Sequence, residues 1–323
     1  MPFGNLFRRP WSSDVRLDDK TVVITGANTG IGKETALDLA KRGARVIMAC
    51  RDMEKAEGAL KEVIDGSGNQ NVVIKKLDLS DTKSVREFAE TINKEEPRLN
   101  ILINNAGVMV CPYGKTVDGF EMQIGVNHMG HFLLTHLLID LIKSSTPARI
   151  INVSSMAHSW GTINLDDINS EKGYDKIKAY NQSKLANILF TRSLAKRLQG
   201  TGVTAYSLHP GVVQTDLWRH VNGAQAAFMK MISPFTKTSA KGAQTSIYCA
   251  VAPELETESG GYYRRSSTLY IVTRRALLTE EDCSPRRAWF LSRFQPYRSF
   301  FLSSVLQYIV VACFFWVSCW VSG

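Results

Sequence analysis

Nowhere do two of the six cysteines stand at C-x-x-C spacing: Cys50, Cys111, Cys249, Cys283, Cys313 and Cys319 are scattered along the chain. That scatter signals neither a zinc site nor a disulfide framework, so no metal is assigned and a reducing compartment is the simplest reading. Residues 1–20 hold no apolar stretch of signal-peptide length, being interrupted by Arg8, Arg9 and Pro10, so no cleaved secretory signal is expected. Nucleic-acid recognition modules are not visible either, although the formal charge of +9 invites the question. Residues 264–323 carry eight arginines against two glutamates and one aspartate, a net +5. The excess therefore sits beside an apolar run, which suits a membrane surface and not a groove-binding stripe. No nucleic-acid partner is expected.

What is present is an ordinary globular balance, 44% apolar and 21% charged, enough for a sizeable core. Short β-branched runs at Thr21–Thr25, Arg45–Ala49, Val72–Lys75, Ile101–Asn104, Arg149–Val153 and Val203–Leu208 read as buried strands. Helix-length amphipathic segments fall between them, near 30–42, 53–65, 82–95, 118–143, 174–199 and 239–251. Strands alternating with helices imply right-handed crossovers and a parallel sheet covered on both faces. The expected fold is α/β, a doubly wound Rossmann sheet in one domain, with ligands at the carboxyl ends of the strands. Gly43 suits a left-handed helix end, Asp52 and Ser80 suit helix N-caps, and Leu217–Thr238 reads as a long lid-like connection.

The rhythm breaks after Tyr263. The chain divides into an extension at 1–17, the domain at 18–263, a basic linker at 264–298 and an apolar tail at 299–323. Phe300–Val321 runs without a charge, about 33 Å as a helix, which matches a bilayer core of about 30 Å. Arg286, Arg287, Arg293 and Arg298 precede it on the side expected to face the cytoplasm. A C-terminal membrane anchor over 300–321, in contact with lipid, is the expectation. Homodimerisation stays open.

The run Thr25-Gly26-Ala27-Asn28-Thr29-Gly30-Ile31-Gly32 leaves the first strand and opens the first helix. Gly26 allows the sharp turn, Gly30 lets backbone approach a pyrophosphate and Gly32 permits close helix–sheet packing. The helix start offers N–H groups and a positive dipole end to phosphates, so Gly26, Asn28, Thr29, Gly30, Ile31 and Gly32 are candidate dinucleotide contacts. At the end of the second strand, Ala49-Cys50-Arg51 places a guanidinium where an adenosine ribose would lie. Arg51 suits the 2′-phosphate of NADP(H). Asp52, the rival that would favour NAD, reads as the cap of the next helix.

Tyr180 and Lys184 stand four residues apart, on one helix face, where an ammonium can stabilise a phenolate and also bond a ribose. Tyr174 and Lys178 repeat the spacing. The apolar stripe of Leu185, Ala186, Ile188, Leu189, Leu194, Ala195 and Leu198 continues from Tyr180, whereas Tyr174 lies in a charged stretch. Tyr180 is therefore the candidate proton donor, and Tyr174 a surface or helix-start residue. Ser155, ending the fifth strand, can donate to a substrate oxygen as charge develops. Asn105, Ala106 and Gly107, ending the fourth, let a cofactor lie against backbone, and Asn127 can hold a water linking Lys184 to solvent.

With these residues placed, residues 18–263 resemble a short-chain dehydrogenase/reductase, through Thr25-Gly26-x-x-x-Gly30-x-Gly32, Asn104-Asn105-Ala106-Gly107, Asn127, Ser155, Tyr180-x-x-x-Lys184 and Pro210-Gly211. Longer stretches such as Ala49-Cys50-Arg51-Asp52 and Asn127-His128-Met129-Gly130-His131-Phe132 resemble the retinol dehydrogenases of the 11, 12 and 13 type. The resemblance implies a catalytic tetrad of Asn127, Ser155, Tyr180 and Lys184, with Asp78 bordering the adenine and Pro210, Gly211 and Thr215 on the nicotinamide side. It implies NADP(H), attachment to a membrane such as the endoplasmic reticulum, and interconversion of retinal and retinol. Trp160, Trp218, Phe228, Met229, Met231, Ile232 and Phe235 are candidates for an apolar substrate channel. Relatives usually carry an N-terminal apolar anchor, and the sequence after Tyr263 departs from their usual domain end. Two further readings stand beside the first: reduction of other lipophilic carbonyls, and a membrane-tethered NADP-binding protein of weak activity.

Overall fold

The computed structural model describes residues 11–213, 217, 236–264 and 267–269. Trp218, Phe228, Met229, Met231, Ile232, Phe235, Thr215 and the expected anchor at 299–323 lie outside the described residues. No helix among the described residues is long and apolar enough to cross a membrane.

Strands β1 (Thr21–Thr25), β2 (Arg45–Cys50), β3 (Val72–Lys76), β4 (Ile101–Asn104), β5 (Ala148–Val153) and β6 (Val203–His209) fall where their β-branched runs predict. Between them stand α1 (Gly30–Lys41), α2 (Met53–Ser67), α3 (Thr82–Glu95), α4 (Met122–Ile124), α5 (Gly130–Ser144), α6 (Lys176–Arg197) and, after β6, α7 (Ser239–Val251). The sheet order is β3-β2-β1-β4-β5-β6-β7-β8, so the chain winds outward in both directions from the β1/β4 seam. A doubly wound sheet opens its ligand crevice at that seam.

Alternation along β1 builds the two layers. Val22 and Ile24 point into one core with Leu39, Val63 and Ile247, while Val23 joins Phe88, Ile92, Leu134 and Leu138 in the other. Helix α3 shows why it folds: Val85, Phe88, Ala89 and Ile92 repeat at helical spacing and all are buried.

Two strands were not expected. β7 (Tyr262–Arg264) pairs parallel with β6, and β8 (Ser267–Leu269) returns antiparallel on β7. The sheet thus continues past Tyr263, where the rhythm of the sequence breaks. Ser80 is also corrected: Asp81 caps α3 by accepting from Lys83 N, while Ser80 donates its hydroxyl to Asp78. Asp52 does cap α2, accepting from Lys55 N at 3.1 Å, and Gly43 takes the left-handed φ of 93°. The helix expected from 118 begins at Met122, where Glu121 accepts from Gln123 N and Ile124 N. It then passes through a π-helical turn, Gly125–Met129, before α5.

Candidate active site

The crevice at the sheet's carboxyl edge has a volume of about 500 Å³. Around it lie Gly26, Asn28, Thr29, Gly30, Ile31, Gly32, Arg51, Asp78, Asn105, Ala106, Gly107, Ser155, Tyr180, Lys184, Pro210 and Gly211. One cavity therefore gathers every described residue expected at the cofactor or the reacting carbonyl, Asn127 excepted.

The glycine turn is shaped by close approaches. Gly26 has φ 64°, and a Cβ there would lie 2.9 Å from the Cα of Ala106; a Cβ on Gly32 would strike the Gly26 carbonyl. Larger residues would push the turn off β4, so the backbone groove is a consequence of missing side chains. Such a groove, opening onto the start of α1, fits a dinucleotide pyrophosphate.

At the adenosine end, Arg51 borders the cavity and its carbonyl accepts from Lys76 Nζ at 2.7 Å. Asp52 is engaged as a helix cap and lies 3.8 Å from Lys55 Nζ. Lys55 borders the same end, a cation that sequence reasoning missed because nothing in its spacing distinguishes it from a solvated helix lysine. Asp78 accepts from the Ser80 N–H at 2.9 Å and from its hydroxyl at 2.6 Å, which stiffens the adjoining loop.

At the other end, Tyr180 and Lys184 are buried in α6 and face the crevice. Burial pushes the Tyr180 phenol up to about 12, an effect the hydrogen bond with Ser155 partly offsets. Burial pushes Lys184 down to about 8. Its Nζ donates to the Val153 carbonyl at 3.2 Å and lies 5.7 Å from the Tyr180 ring centre. Gly107 packs closely here: a Cβ would fall 3.1 Å from Asn127 Oδ1, a tight contact, and 3.6 Å from Lys184 Nζ, an ordinary one. A phenol, a hydroxyl and an ammonium border one crevice, an arrangement able to hand a proton to an oxygen carrying developing negative charge.

Asn127 stands behind this wall, fully buried in the π-helical turn. Its Oδ1 accepts from Val108 N at 2.7 Å, and its Nδ2 donates to Val108 O and to Ser183 Oγ, both at 2.9 Å. The side-chain amide is therefore committed to protein partners on both its oxygen and its nitrogen. Tyr174 stands just before the start of α6, as expected, and its hydroxyl donates to Cys111 O at 2.9 Å and accepts from Gln123 Nε2 at 2.8 Å. It pins the loop after β4 to the approach of α6, away from the crevice.

Gly211 follows β6 with φ 100°, and the stem of Lys237 fills the space beside it. Lys237 Nζ donates to Pro210 O at 3.3 Å. Met109, Met156, Trp160, Val212 and Leu217 border the tetrad end, and Trp160 is 67% exposed. Of the channel candidates, Trp160 is thus at the rim; the rest lie outside the described residues.

Residues 20–226 match the family model for short chain dehydrogenase. Over 280 residues the chain is 57% identical to retinol dehydrogenase 12 of Homo sapiens, covering 87% of each chain. It is 53% identical over 285 residues to retinol dehydrogenase 11 of Homo sapiens, again covering 87% of each. A crystal structure of an uncharacterized protein from Mycobacterium Paratuberculosis shares 38% identity and superposes with a TM-score of 0.66 over 88% of this chain and 95% of that one. Sequence and backbone agree over most of the molecule: the chain belongs to the short-chain dehydrogenase family, with retinol dehydrogenases among its relatives.

Proposed function

We propose that this protein reduces retinal, or a closely similar lipophilic aldehyde, at the expense of NADPH. The observation that carries the reading is that Tyr180, Lys184 and Ser155 border the same crevice as the glycine turn. Reduced nicotinamide, when bound, supplies the hydride. Ser155 then bonds the carbonyl oxygen, and Tyr180 delivers the proton that the oxygen needs as it becomes an alkoxide. Lys184 supports the phenolate left behind and bonds the ribose. Asn127 shapes the wall through Val108 and Ser183 without touching the reacting atoms.

The choice of NADPH rests on Arg51 and Lys55 at the adenosine end and on the engagement of Asp52 as a cap. The choice of a lipophilic aldehyde rests on Met109, Met156, Trp160, Val212 and Leu217 at the opposite end, together with the names of the relatives.

The test is NADPH oxidation by the purified full chain with all-trans-retinal, run beside steroid and short-chain lipid carbonyls. Wild type should turn over retinal faster with NADPH than with NADH, and Tyr180→Phe should lower kcat about 100–10,000-fold while NADPH still binds. Unchanged turnover in Tyr180→Phe would remove Tyr180 as donor. A wild-type protein that binds NADPH but reduces no carbonyl would favour the weakly active, cofactor-binding reading.

A further inference from the structure

One buried polar side chain bonds to residues of the site and takes no part in the steps above. His131, in the first turn of α5, is 2% exposed. Its Nε2 is 2.8 Å from the Thr25 hydroxyl and its Nδ1 is 3.1 Å from the Asn127 carbonyl oxygen.

Donor counting fixes which nitrogen holds the proton. Thr25 Oγ1 already accepts from Asn105 N and Ala106 N, each at 2.9 Å. A hydroxyl oxygen has two lone pairs, so the Thr25 O–H must point at the remaining partner, His131 Nε2. That nitrogen is then bare and accepts. Nδ1 keeps the ring proton and donates it to the Asn127 carbonyl.

We propose that His131 is a positioning residue, held as the Nδ1–H tautomer, which ties the cofactor-side backbone to the helix wall behind the tetrad. On one side, Thr25 holds Asn105 and Ala106, the groove floor. On the other, Asn127 holds Ser183 Oγ, and Ser183 donates to the Tyr180 carbonyl at 2.8 Å. The ring links the two chains of bonds, beside the bonds that Asn127 itself makes to Val108. Burial agrees with a permanently neutral imidazole, pushing its pKa down to about 3, with the nearby Lys184 and His128 adding to the effect of burial. His128 itself does not share the role: its Nδ1 meets Asn187 Oδ1 at 3.1 Å, and its ring packs on Phe190.

The functional consequence rests on the reductase reading; the tautomer does not. The first experiment is NMR of the full chain carrying ring-15N histidine, with the His131 signals assigned by their loss in His131→Asn. Protonated Nδ1 with bare Nε2, unchanged across about pH 6–8, is the expected result. An Nε2–H tautomer, or titration in that range, would overturn the proposal even if the protein is an active reductase.

The second experiment compares kinetics. The His131→Leu substitution removes both bonds and should lower kcat about 10–100-fold, with the KM for the carbonyl substrate little changed. His131→Asn keeps a donor near the Asn127 carbonyl and should recover part of the loss. Wild-type kcat in a folded His131→Leu protein would overturn the role. If wild type reduces no carbonyl, the NMR result still decides the tautomer and only the reductase reading fails.

Discussion

Tyr180 and Lys184 are displaced in opposite directions by the same burial, the phenol up to about 12 and the ammonium down to about 8. A phenol that acidic or weaker still protonates an alkoxide, a far stronger base, so the raised value does not prevent proton delivery. The ammonium is the more exposed to failure. Its charge is full below about 8 and is lost as pH rises through that value, and the support for the phenolate goes with it. Reductive kcat/KM for NADPH, which reports the free protein, should therefore decline through about pH 8, and Lys184→Arg should flatten that limb. A profile level to pH 10 would contradict this role for Lys184. Selecting Tyr180 over Tyr174 was within reach of the sequence because the apolar stripe continues only from Tyr180. The committed hydrogen bonds of Tyr174 and Asn127 were not, since Cys111, Gln123 and Val108 reach them only after folding.

Among the elements, α3 shows how little the crevice asks of the distant core. Ile92 is fully buried with Leu134 and Leu138, and does not border the cavity. Ile92→Ala should destabilise the protein by about 2–5 kcal/mol, read as a lower urea midpoint, because a cavity adds to the lost transfer energy. Turnover per folded molecule should stay at the wild-type level; a matching fall would show that this layer reaches the site. The strands from β1 to β6 were legible because buried parallel strands are dense in Val, Ile and Leu. β7 was not: Tyr-Tyr-Arg is too short for a period, and its pairing with Ser207, Leu208 and His209 is made across a long loop of sequence. Ser80 and Asp81 are both cap-forming residues one position apart, and only the turn around Asp78 decides between them. The π-helical turn at Asn127 carries no local signature in the sequence.

For the whole molecule, the double winding turns a list of separated residues into one cavity with unlike ends. Glycine spacing and the Tyr180–Lys184 pair announced that cavity because backbone approach and helix geometry are local matters. The unlikeness of its ends needed the fold: Arg51 follows β2 and Lys55 lies in α2, whereas Met156 and Trp160 follow β5. A cavity with the basic Arg51 and Lys55 beside Asp52 and Asp78 at one pole, and Met156 and Trp160 at the other, responds to the medium one pole at a time. Raising ionic strength toward 1 M shortens the Debye length to about 3 Å, so the KM for NADPH should climb steeply while that for the aldehyde holds or falls. Equal responses of both constants would remove Arg51 and Lys55 from phosphate recognition. On the reductase reading the two guests are told apart by range: charge acts on the nucleotide before it touches the protein, whereas the oily substrate is held only on contact.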